Sequence, residues 1–329
     1  MGSGEPGRFW APGTSVAAGS LGPVSSFPET VEICEVGPRD GLQNEATISV
    51  EQRVLLIDAL SATGLRQIEA VSFVSPTAIP PMAGAEEVMA QIQRVPGVTY
   101  RALVPNERGA DRAIAARADE LEVVVSASET HNRKNVRRSV DESIDGAKVL
   151  VGMAHDAGLP VDGIVSTAFG CPYEGDIEPV AVATAAARLL DGGVDGVSFG
   201  DTTGMATPKR VDALLDELER LSIPSTSIGL HFHNTRGTGL ANVLMGLTRG
   251  VRRFDASIGG LGGCPYAPGA TGNVVTEDLV HMLDDMDIAT GVDLDALIEC
   301  AHLAQHLVGR DLPGQVMRSG PRSQTVEST

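Results

Sequence analysis

Short β-branched segments alternate with segments of helical periodicity along most of the chain. The apolar segments span residues 31–36, 67–73, 98–104, 121–127, 161–167, 194–200, 227–233 and 254–260. Between them, apolar residues recur at helical spacing, for example in 50–64, 107–118 and 208–221. Eight strand–helix units without a linker indicate parallel strands joined by right-handed crossovers. The pattern therefore predicts an α/β fold, a closed (β/α)8 TIM barrel, rather than an open doubly wound sheet.

The two ends of the chain differ from this repeating pattern. Residues 1–28 are rich in Gly, Pro, Ser and Ala and lack periodicity, which predicts a disordered N-terminal extension. Residues 29–312 form the predicted barrel domain, and 275–310 within it contains one or two additional C-terminal helices. The polar segment 313–329 is predicted to be a flexible tail.

Composition and charge argue against a nucleic-acid-binding or membrane protein. The 329 residues carry 25 Lys and Arg against 43 Asp and Glu, a formal charge of −18. This balance argues against electrostatic binding of nucleic acid or of an anionic membrane surface. No apolar segment approaches the roughly 18 residues of a membrane span. The four cysteines form no CxxC pair, which favours a cytoplasmic protein.

Unusual polar residues gather where the predicted strands end. Arg39 and Asp40 follow the first strand, Asp201 follows the sixth, and His231 and His233 end the seventh. The remaining members of this set are Glu69 within the second strand and Cys264 and Asn273 in the glycine-rich loop after the eighth. The carboxyl ends of barrel strands form the catalytic face of this fold. The sequence therefore predicts an active site there.

The His-x-His pair indicates a metal site. Residues i and i+2 of a strand point to the same side, so His231 and His233 both face the barrel mouth. Asp40 supplies a carboxylate and an Asn carbonyl could add an oxygen ligand. This mixture of donors favours Mg²⁺ or Mn²⁺ over a closed structural zinc site. The alternative is a pair of core histidines bonded to backbone carbonyls.

Arg39 and Glu69 each have two interpretations, and Cys264 has one. Arg39 places a cation against the metal, where it suits a developing enolate or carboxylate oxyanion, or it simply pairs with neighbouring acids. Glu69 positions the metal ligands or Arg39, or it is a buried carboxylate with satisfied hydrogen bonds. Cys264 acts as an acid or base if its pKa falls toward neutral, whereas Cys34 and Cys300 are interpreted as core thiols.

A basic segment follows the predicted fourth strand. NRKNVRRS (132–139) contains Arg133, Lys134, Arg137 and Arg138 in an otherwise acidic chain. Such a segment could bind the phosphates of coenzyme A (CoA), with Arg133, Lys134 and Asn135 as the contacts. A solvated helix face explains it equally well.

Six segments carry a resemblance to a known family. They are VGPRDGLQNE (36–45), IEAVSFVSP (68–76), GCPYEG (170–175), GDTTG (200–204), HFHNTRGTGLAN (231–242) and GGLGGCPYAPGATGNVVTEDLVHML (259–283). With them the chain resembles the 3-hydroxy-3-methylglutaryl-CoA (HMG-CoA) lyase family, built on metal-dependent TIM barrels. His-x-His is shared with Claisen-type synthases of the superfamily, whereas the GLGGCPYA loop is more particular to the lyases.

The resemblance implies roles for these residues. The implied metal ligands are Asp40, His231, His233 and Asn273. The other implied site residues are Arg39 for the enolate, Glu69 in the active site, Asp201 near it, and Cys264 as the catalytic thiol. The implied reaction is a retro-Claisen cleavage of HMG-CoA to acetyl-CoA and acetoacetate, with a divalent metal and an acyl-CoA substrate. A homodimer and roles in leucine degradation and ketone body formation are implied as well.

Three positions depart from the family pattern. Asp162 and Ile164 stand where the family carries an Arg and a Tyr, and Asn234 follows His-x-His where an Asp is usual. These changes leave citramalyl-CoA or a longer 3-hydroxyglutaryl-CoA derivative as alternative substrates. Two different functions also stay open for the chain, a Claisen-type synthase and a catalytically silent binding protein.

Overall fold

The structure, a computed structural model, describes residues 27–264 and 267–323, with the side chains of 264–271 outside the description. Within that range, eight parallel strands pair in chain order and the first also pairs with the eighth. The predicted TIM barrel is confirmed. The strands are β1 (Glu32–Glu35), β2 (Gln67–Ser72), β3 (Thr99–Leu103), β4 (Glu120–Ser126), β5 (Val161–Ser166), β6 (Gly196–Gly200), β7 (Ile228–His231) and β8 (Arg253–Ala256). A separate antiparallel pair follows: β9 (Gly263–Cys264) and β10 (Ala267–Thr271).

Helices surround the barrel. They are α1 (Val50–Ser61), α2 (Ala85–Gln91), α3 (Glu107–Ala115), α4 (Glu129–Val136), α5 (Val140–Asp156), α6 (Pro179–Asp191), α7 (Pro208–Arg220), α8 (Gly239–Thr248), α9 (Thr276–Asp285), α10 (Leu294–Val308) and α11 (Val316–Ser319). Local sequence explains where helix α1 begins, because Ser49 and Gln52 form a reciprocal capping box there. No helix in the described ranges is long and apolar enough to cross a membrane.

The C-terminal region adds helices to the barrel, as the pattern predicted. The predicted flexible tail, 313–329, contains α11, in which Val316 and Met317 are buried. The Asp278 carboxylate accepts hydrogen bonds from the backbone N–H groups of Gln315 and Val316. Most of the predicted N-terminal extension (1–26) and the end of the tail (324–329) lie outside the described residues.

Charged side chains occupy the inside of the barrel. The outward-facing residues Val123, Val125 and Val165 are buried beneath the helices. The inward-facing residues of the same strands include Glu122 and Asp162, which are also buried. Parallel strands are normally apolar on both faces, so this interior departs from the common pattern.

Four of these charged residues form what we call the floor cluster: Arg101, Glu120, Asp162 and Arg253. Asp162 Oδ1 lies 2.6 Å from Arg253 Nη2, and its Oδ2 lies 3.3 Å from Arg101 Nη2. Arg101 Nη2 also lies 2.8 Å from Glu120 Oε1. Asp162 is near the start of β5, so this departure from the family pattern alters the N-terminal end of the barrel and not its mouth.

Candidate active site

Three potential metal ligands converge at the mouth of the barrel. Asp40 belongs to a single helical turn, Gly37–Gly41, that follows β1. His231 is the last residue of β7, and His233 lies two residues further. One ligand atom from each lies within 4.8 Å of the others. The structure therefore brings Asp40 together with two histidines from a distant part of the chain, and the three residues could hold a metal ion.

Asn273 joins this group through the backbone. It forms an antiparallel bridge with His233, and the adjacent Asn234 N–H donates to the Gly272 carbonyl at 2.7 Å. The Asn273 Nδ2 amide donates to Asp40 Oδ2 at 2.8 Å. The loop after β8 is thus held against the end of β7. We refer to Asp40, His231, His233 and Asn273 as the mouth site.

Glycine allows the Asp40 turn to pack closely on the loop after β8. A Cβ atom on Gly41 would lie 2.8 Å from both Leu261 Cβ and Ser257 Oγ, closer than a real Cβ atom approaches its neighbours. Asn273 Nδ2 also donates to the Leu261 carbonyl at 3.2 Å. The close approach at Gly41 therefore determines how near Asp40 lies to Asn273.

The pKa values of Asp40 and His233 favour the protonation states that bind metal, whereas the pKa of His231 is shifted in the opposite direction. Burial raises the pKa of Asp40, but the Arg39 guanidinium and the two histidines lower it to about 2. Burial and the charge of His231 lower the pKa of His233 to about 4. Burial lowers the pKa of His231 too, but the Asp255 hydrogen bond and Asp40 outweigh it, with a net rise. At neutral pH the carboxylate is ionised and His233 is neutral, as metal ligands must be.

The donor atoms fit a divalent cation. His233 Nδ1 and Asn273 Oδ1 are buried and have no hydrogen-bond partner among the described residues. Leaving such a group unsatisfied costs about 1–3 kcal/mol. Two imidazoles, a carboxylate and an amide oxygen are ligands that divalent metals accept. The residues present at the mouth site are therefore suited to hold one such ion.

Arg39 is fixed beside the mouth site by two acids. Its Nη1 lies 3.0 Å from Asp40 Oδ1, and its Nε donates to Glu69 Oε1. Burial lowers the pKa of Arg39, but Glu69 and Asp40 raise it well above its ordinary value. The guanidinium is a permanent cation held in one orientation at the mouth.

Two contacts at this site were missed by sequence reasoning. Asp255 Oδ2 lies 3.2 Å from His231 Nδ1, and Gln43 Nε2 donates to Asp40 Oδ1 at 2.7 Å. Such partners orient ligand side chains. A signal for Asp255 did exist, because it is a carboxylate within an apolar strand, as Glu69 is.

Asp201 holds the turn after β6, next to the mouth site. Its Oδ1 accepts hydrogen bonds from the backbone N–H groups of Met205, at 2.7 Å, and Ala206, at 3.0 Å. Its own N–H donates to the His231 carbonyl at 2.8 Å. Burial raises the pKa of Asp201 to about 7. The side chain of Cys264, the predicted thiol, lies outside the described residues.

The predicted CoA contacts lie on α4, which follows β4. Arg133, Lys134 and Asn135 are exposed. Arg133 Nη2 lies 2.7 Å from Glu129 Oε1, and Lys134 Nζ lies 4.5 Å from the centroid of the Tyr173 ring. Both cations therefore make intramolecular contacts that an incoming phosphate would share or displace.

Comparison with known proteins identifies the family to which this chain belongs. A model of the HMGL-like family matches residues 30–304. The chain belongs to this family. It is 47% identical to the hydroxymethylglutaryl-CoA lyase of Bacillus subtilis, over 88% of this chain and 97% of the relative. It is 43% identical to the mitochondrial hydroxymethylglutaryl-CoA lyase of Gallus gallus, over 90% of this chain and 100% of the relative.

Solved structures of family members have the same fold as this chain. The HMG-CoA lyase of Bacillus subtilis superposes with a TM-score of 0.88 at 46% identity, covering 89% of this chain and 98% of the other. An HMG-CoA lyase from Acinetobacter baumannii, in complex with coenzyme A and 3-methylmalate, has a TM-score of 0.87 at 43% identity. The match covers 92% of this chain and 99% of the Acinetobacter baumannii chain. The resemblance to the HMG-CoA lyase family is confirmed.

Proposed function

We propose that this protein is a divalent-metal-dependent lyase that cleaves HMG-CoA to acetyl-CoA and acetoacetate. One observation carries the proposal: three ligand atoms converge within 4.8 Å beside the fixed Arg39. They do so in a chain that is 43–47% identical to HMG-CoA lyases over most of its length. The similarity extends over nearly the whole of those relatives, and it supports the same reaction here.

The metal is proposed to be Mg²⁺ or Mn²⁺, held by Asp40, His231, His233 and Asn273. When bound, it supplies a Lewis acid for the hydroxyl and carbonyl oxygens of the substrate. The protein's part is to orient the ligands. Asp255 fixes the ring of His231, and Asn273 Nδ2 fixes Asp40 at 2.8 Å.

Arg39 is proposed to stabilise the enolate. Loss of the hydroxyl proton and cleavage of the C2–C3 bond leave the electron pair on the thioester fragment, as the enolate of acetyl-CoA. The charge develops on an oxygen, and a cation already fixed by Glu69 and Asp40 stabilises it without reorganisation. A proton delivered to the enolate carbon then gives acetyl-CoA. By the family resemblance, Cys264 is proposed to donate this proton, and Asp201 is proposed to be an acidic group near the site.

Finer properties follow from the same proposal. Arg133, Lys134 and Asn135 would contact the CoA phosphates, since α4 follows the carboxyl end of β4 and therefore begins on the mouth side of the barrel. A homodimer is proposed from the family resemblance and from the prevalence of symmetric dimers. A cytoplasmic location is supported by the free, buried thiols of Cys34, Cys171 and Cys300. Leucine degradation is the corresponding proposed role.

Turnover of HMG-CoA with Mg²⁺ or Mn²⁺ tests the function, with acetoacetate as the product measured and EDTA as the control. We expect metal-dependent cleavage that EDTA abolishes. Cys264→Ala should retain metal binding and lose most of the rate, whereas Cys300→Ala, a change on α10, should retain both. Metal-loaded protein that releases no acetoacetate would contradict the proposal.

A further inference from the structure

Three aliphatic side chains, one on each of β3, β4 and β5, face the inside of the barrel. We call them the aliphatic base: Leu103, Val124 and Ile164. Each lies two residues beyond a buried charged residue of its own strand, so alternation places both on the same face. These charged residues meet inside the barrel, where Arg101 Nη2 lies 3.2 Å from Glu122 Oε1 and 3.3 Å from Asp162 Oδ2. The aliphatic base therefore faces inward as well.

The aliphatic base is partly exposed, although it lies inside the barrel. Each of its three side chains is only half-buried. The charged residues that precede them, Arg101, Glu122 and Asp162, are 1%, 3% and 1% exposed. Because these buried charges lie towards the N-terminal ends of the strands, the space beside the aliphatic base lies on the mouth side.

This space is a cavity wall and not a packing defect of the core. The outward-facing neighbours on the same strands, Val123 and Val165, are 2% and 0% exposed beneath the helices. Protein interiors are close-packed, so accessible aliphatic side chains inside a barrel indicate room for another group. Val124 and Ile164 are direct partners in the register of β4 and β5, which makes their surface continuous. Small-molecule sites are typically lined in this way, with apolar walls and a few polar groups.

The chemistry of the proposed substrate selects the group that faces this wall. In the proposed reaction, the C3 hydroxyl is directed to the mouth site and the enolate oxygen to Arg39. The CoA part is large and charged, so it extends out of the mouth. Two groups on C3 remain, and one of them, the carboxymethyl group, carries a charge that is costly to bury against aliphatic side chains. The other is the alkyl group, which is left to contact the aliphatic base.

We propose that the aliphatic base binds the alkyl group on C3, and that the protein cleaves 3-hydroxy-3-alkylglutaryl-CoA thioesters with alkyl groups longer than methyl. The reaction is the same for each member of this class. The C2–C3 bond breaks, the C3 hydroxyl loses its proton and becomes the ketone of a 3-oxo acid, and the electron pair forms the enolate of acetyl-CoA, which then takes up a proton. This inference rests on the proposed function and extends its substrate class.

Kinetics with three thioesters tests the inference: HMG-CoA and its homologues with ethyl or butyl in place of the methyl group on C3. Acetyl-CoA is the product of all three and is measured in the presence of Mn²⁺. We expect kcat/KM for the ethyl homologue to equal or exceed that for HMG-CoA by up to about fourfold, the effect of burying one CH₂ group. In Ile164→Phe, which fills the space, kcat/KM should fall by at least about 10-fold for the butyl homologue and stay within about threefold for HMG-CoA. Val149→Phe, at a position on α5 that is 49% exposed, is the matched control and should change neither value.

Binding without cleavage provides a second measurement. With EDTA present, calorimetric titration should show that wild type binds the butyl homologue at least about 10-fold more tightly than HMG-CoA, because three more CH₂ groups are buried. Ile164→Phe should remove this difference. The measurement needs no turnover, so it tests the aliphatic base even if wild type cleaves none of the thioesters, a result that would contradict the proposed function alone.

Three results would overturn the inference. The first is cleavage of HMG-CoA with kcat/KM for the ethyl homologue more than about 10-fold lower, which would leave the proposed function intact. The second is an equal loss for HMG-CoA and the butyl homologue in Ile164→Phe, and the third is equal affinity of wild type for these two thioesters. If Ile164→Phe does not fold, Ile164→Ala gives the converse test, since the enlarged space should increase the preference for butyl over ethyl.

Discussion

The floor cluster and the mouth site are both groups of ionisable or polar residues inside one barrel, at opposite ends of its strands. In the floor cluster each acid faces an arginine, as Asp162 faces Arg253 at 2.6 Å. At the mouth site, atoms that all accept or carry lone pairs face one another within 4.8 Å. The comparison shows that a buried carboxylate beside guanidinium groups forms a structural ion pair, whereas a carboxylate beside groups with free lone pairs forms a candidate metal site.

The strongest test of this difference is to remove a ligand from the mouth site. His233→Ala should weaken Mn²⁺ binding by at least about 100-fold and abolish turnover, since a ligand matters more than the groups that orient it. Isothermal titration with Mn²⁺ measures the affinity. His302→Ala, an exposed histidine on α10, is the matched control and should bind metal as wild type does. Equal affinity in His233→Ala and His302→Ala would refute the site.

Breaking the floor cluster should instead lower the stability of the protein and leave Mn²⁺ binding unchanged. Asp162→Ala leaves two arginines without their buried carboxylate, and we expect a loss of about 3–5 kcal/mol in the free energy of unfolding. Urea denaturation measures it. The exposed Asp176, paired with Arg210, is the control, with a change within about 1 kcal/mol for Asp176→Ala. Weaker Mn²⁺ binding by folded Asp162→Ala would mean that the two regions are not independent.

The pH dependence of stability should also separate the two ends. Behind the Asp40 turn, burial raises the pKa of Glu35 to about 7 and that of Glu277 to about 8. The folded state then binds more protons than the unfolded state, so stability falls as pH rises from about 5 to 8. The slope is up to about 1.4 kcal/mol per pH unit for each group.

The contribution of Asp162 to stability depends on pH in the opposite direction. Burial raises its pKa, but Arg253 and Arg101 lower it below the ordinary value. Its contribution is therefore present above about pH 4 and is lost as the pH falls further. Denaturation series at several pH values should show that Glu277→Gln flattens the decline from pH 5 to 8, and that Asp162→Asn leaves it in place. A decline unaffected by Glu277→Gln would contradict these assignments.

The smallest effect is expected at α4. Arg133→Ala should raise KM for HMG-CoA by about two- to fivefold, since an exposed ionic contact contributes about 0.2–1 kcal/mol. Arg220→Ala is the control, because Arg220 ends α7 on the floor side of the barrel. Steady-state kinetics measures both variants. Equal KM values in the two would favour the solvated-face interpretation of Arg133.

The predicted fold and much of the mouth site depend on local patterns, which explains why the sequence sufficed for them. The i, i+2 spacing at the end of β7 brings the rings of His231 and His233 close together, and the parallel barrel places Asp40 at the same end. The contact between His231 and Asp255 was missed because it depends on which strands become neighbours and in what register.

The sequence by itself therefore determined the strand–helix repeat, the closed barrel and the end of the barrel at which the candidate ligands lie, because these follow from periodicity along the chain. Only the tertiary structure decided which acid faces which cation. Asp162 stands beside two arginines, and Asp255 stands beside His231, because barrel closure sets strands from distant parts of the chain in a fixed register. Electrostatic interactions depend on those distances, and the order of residues does not contain them.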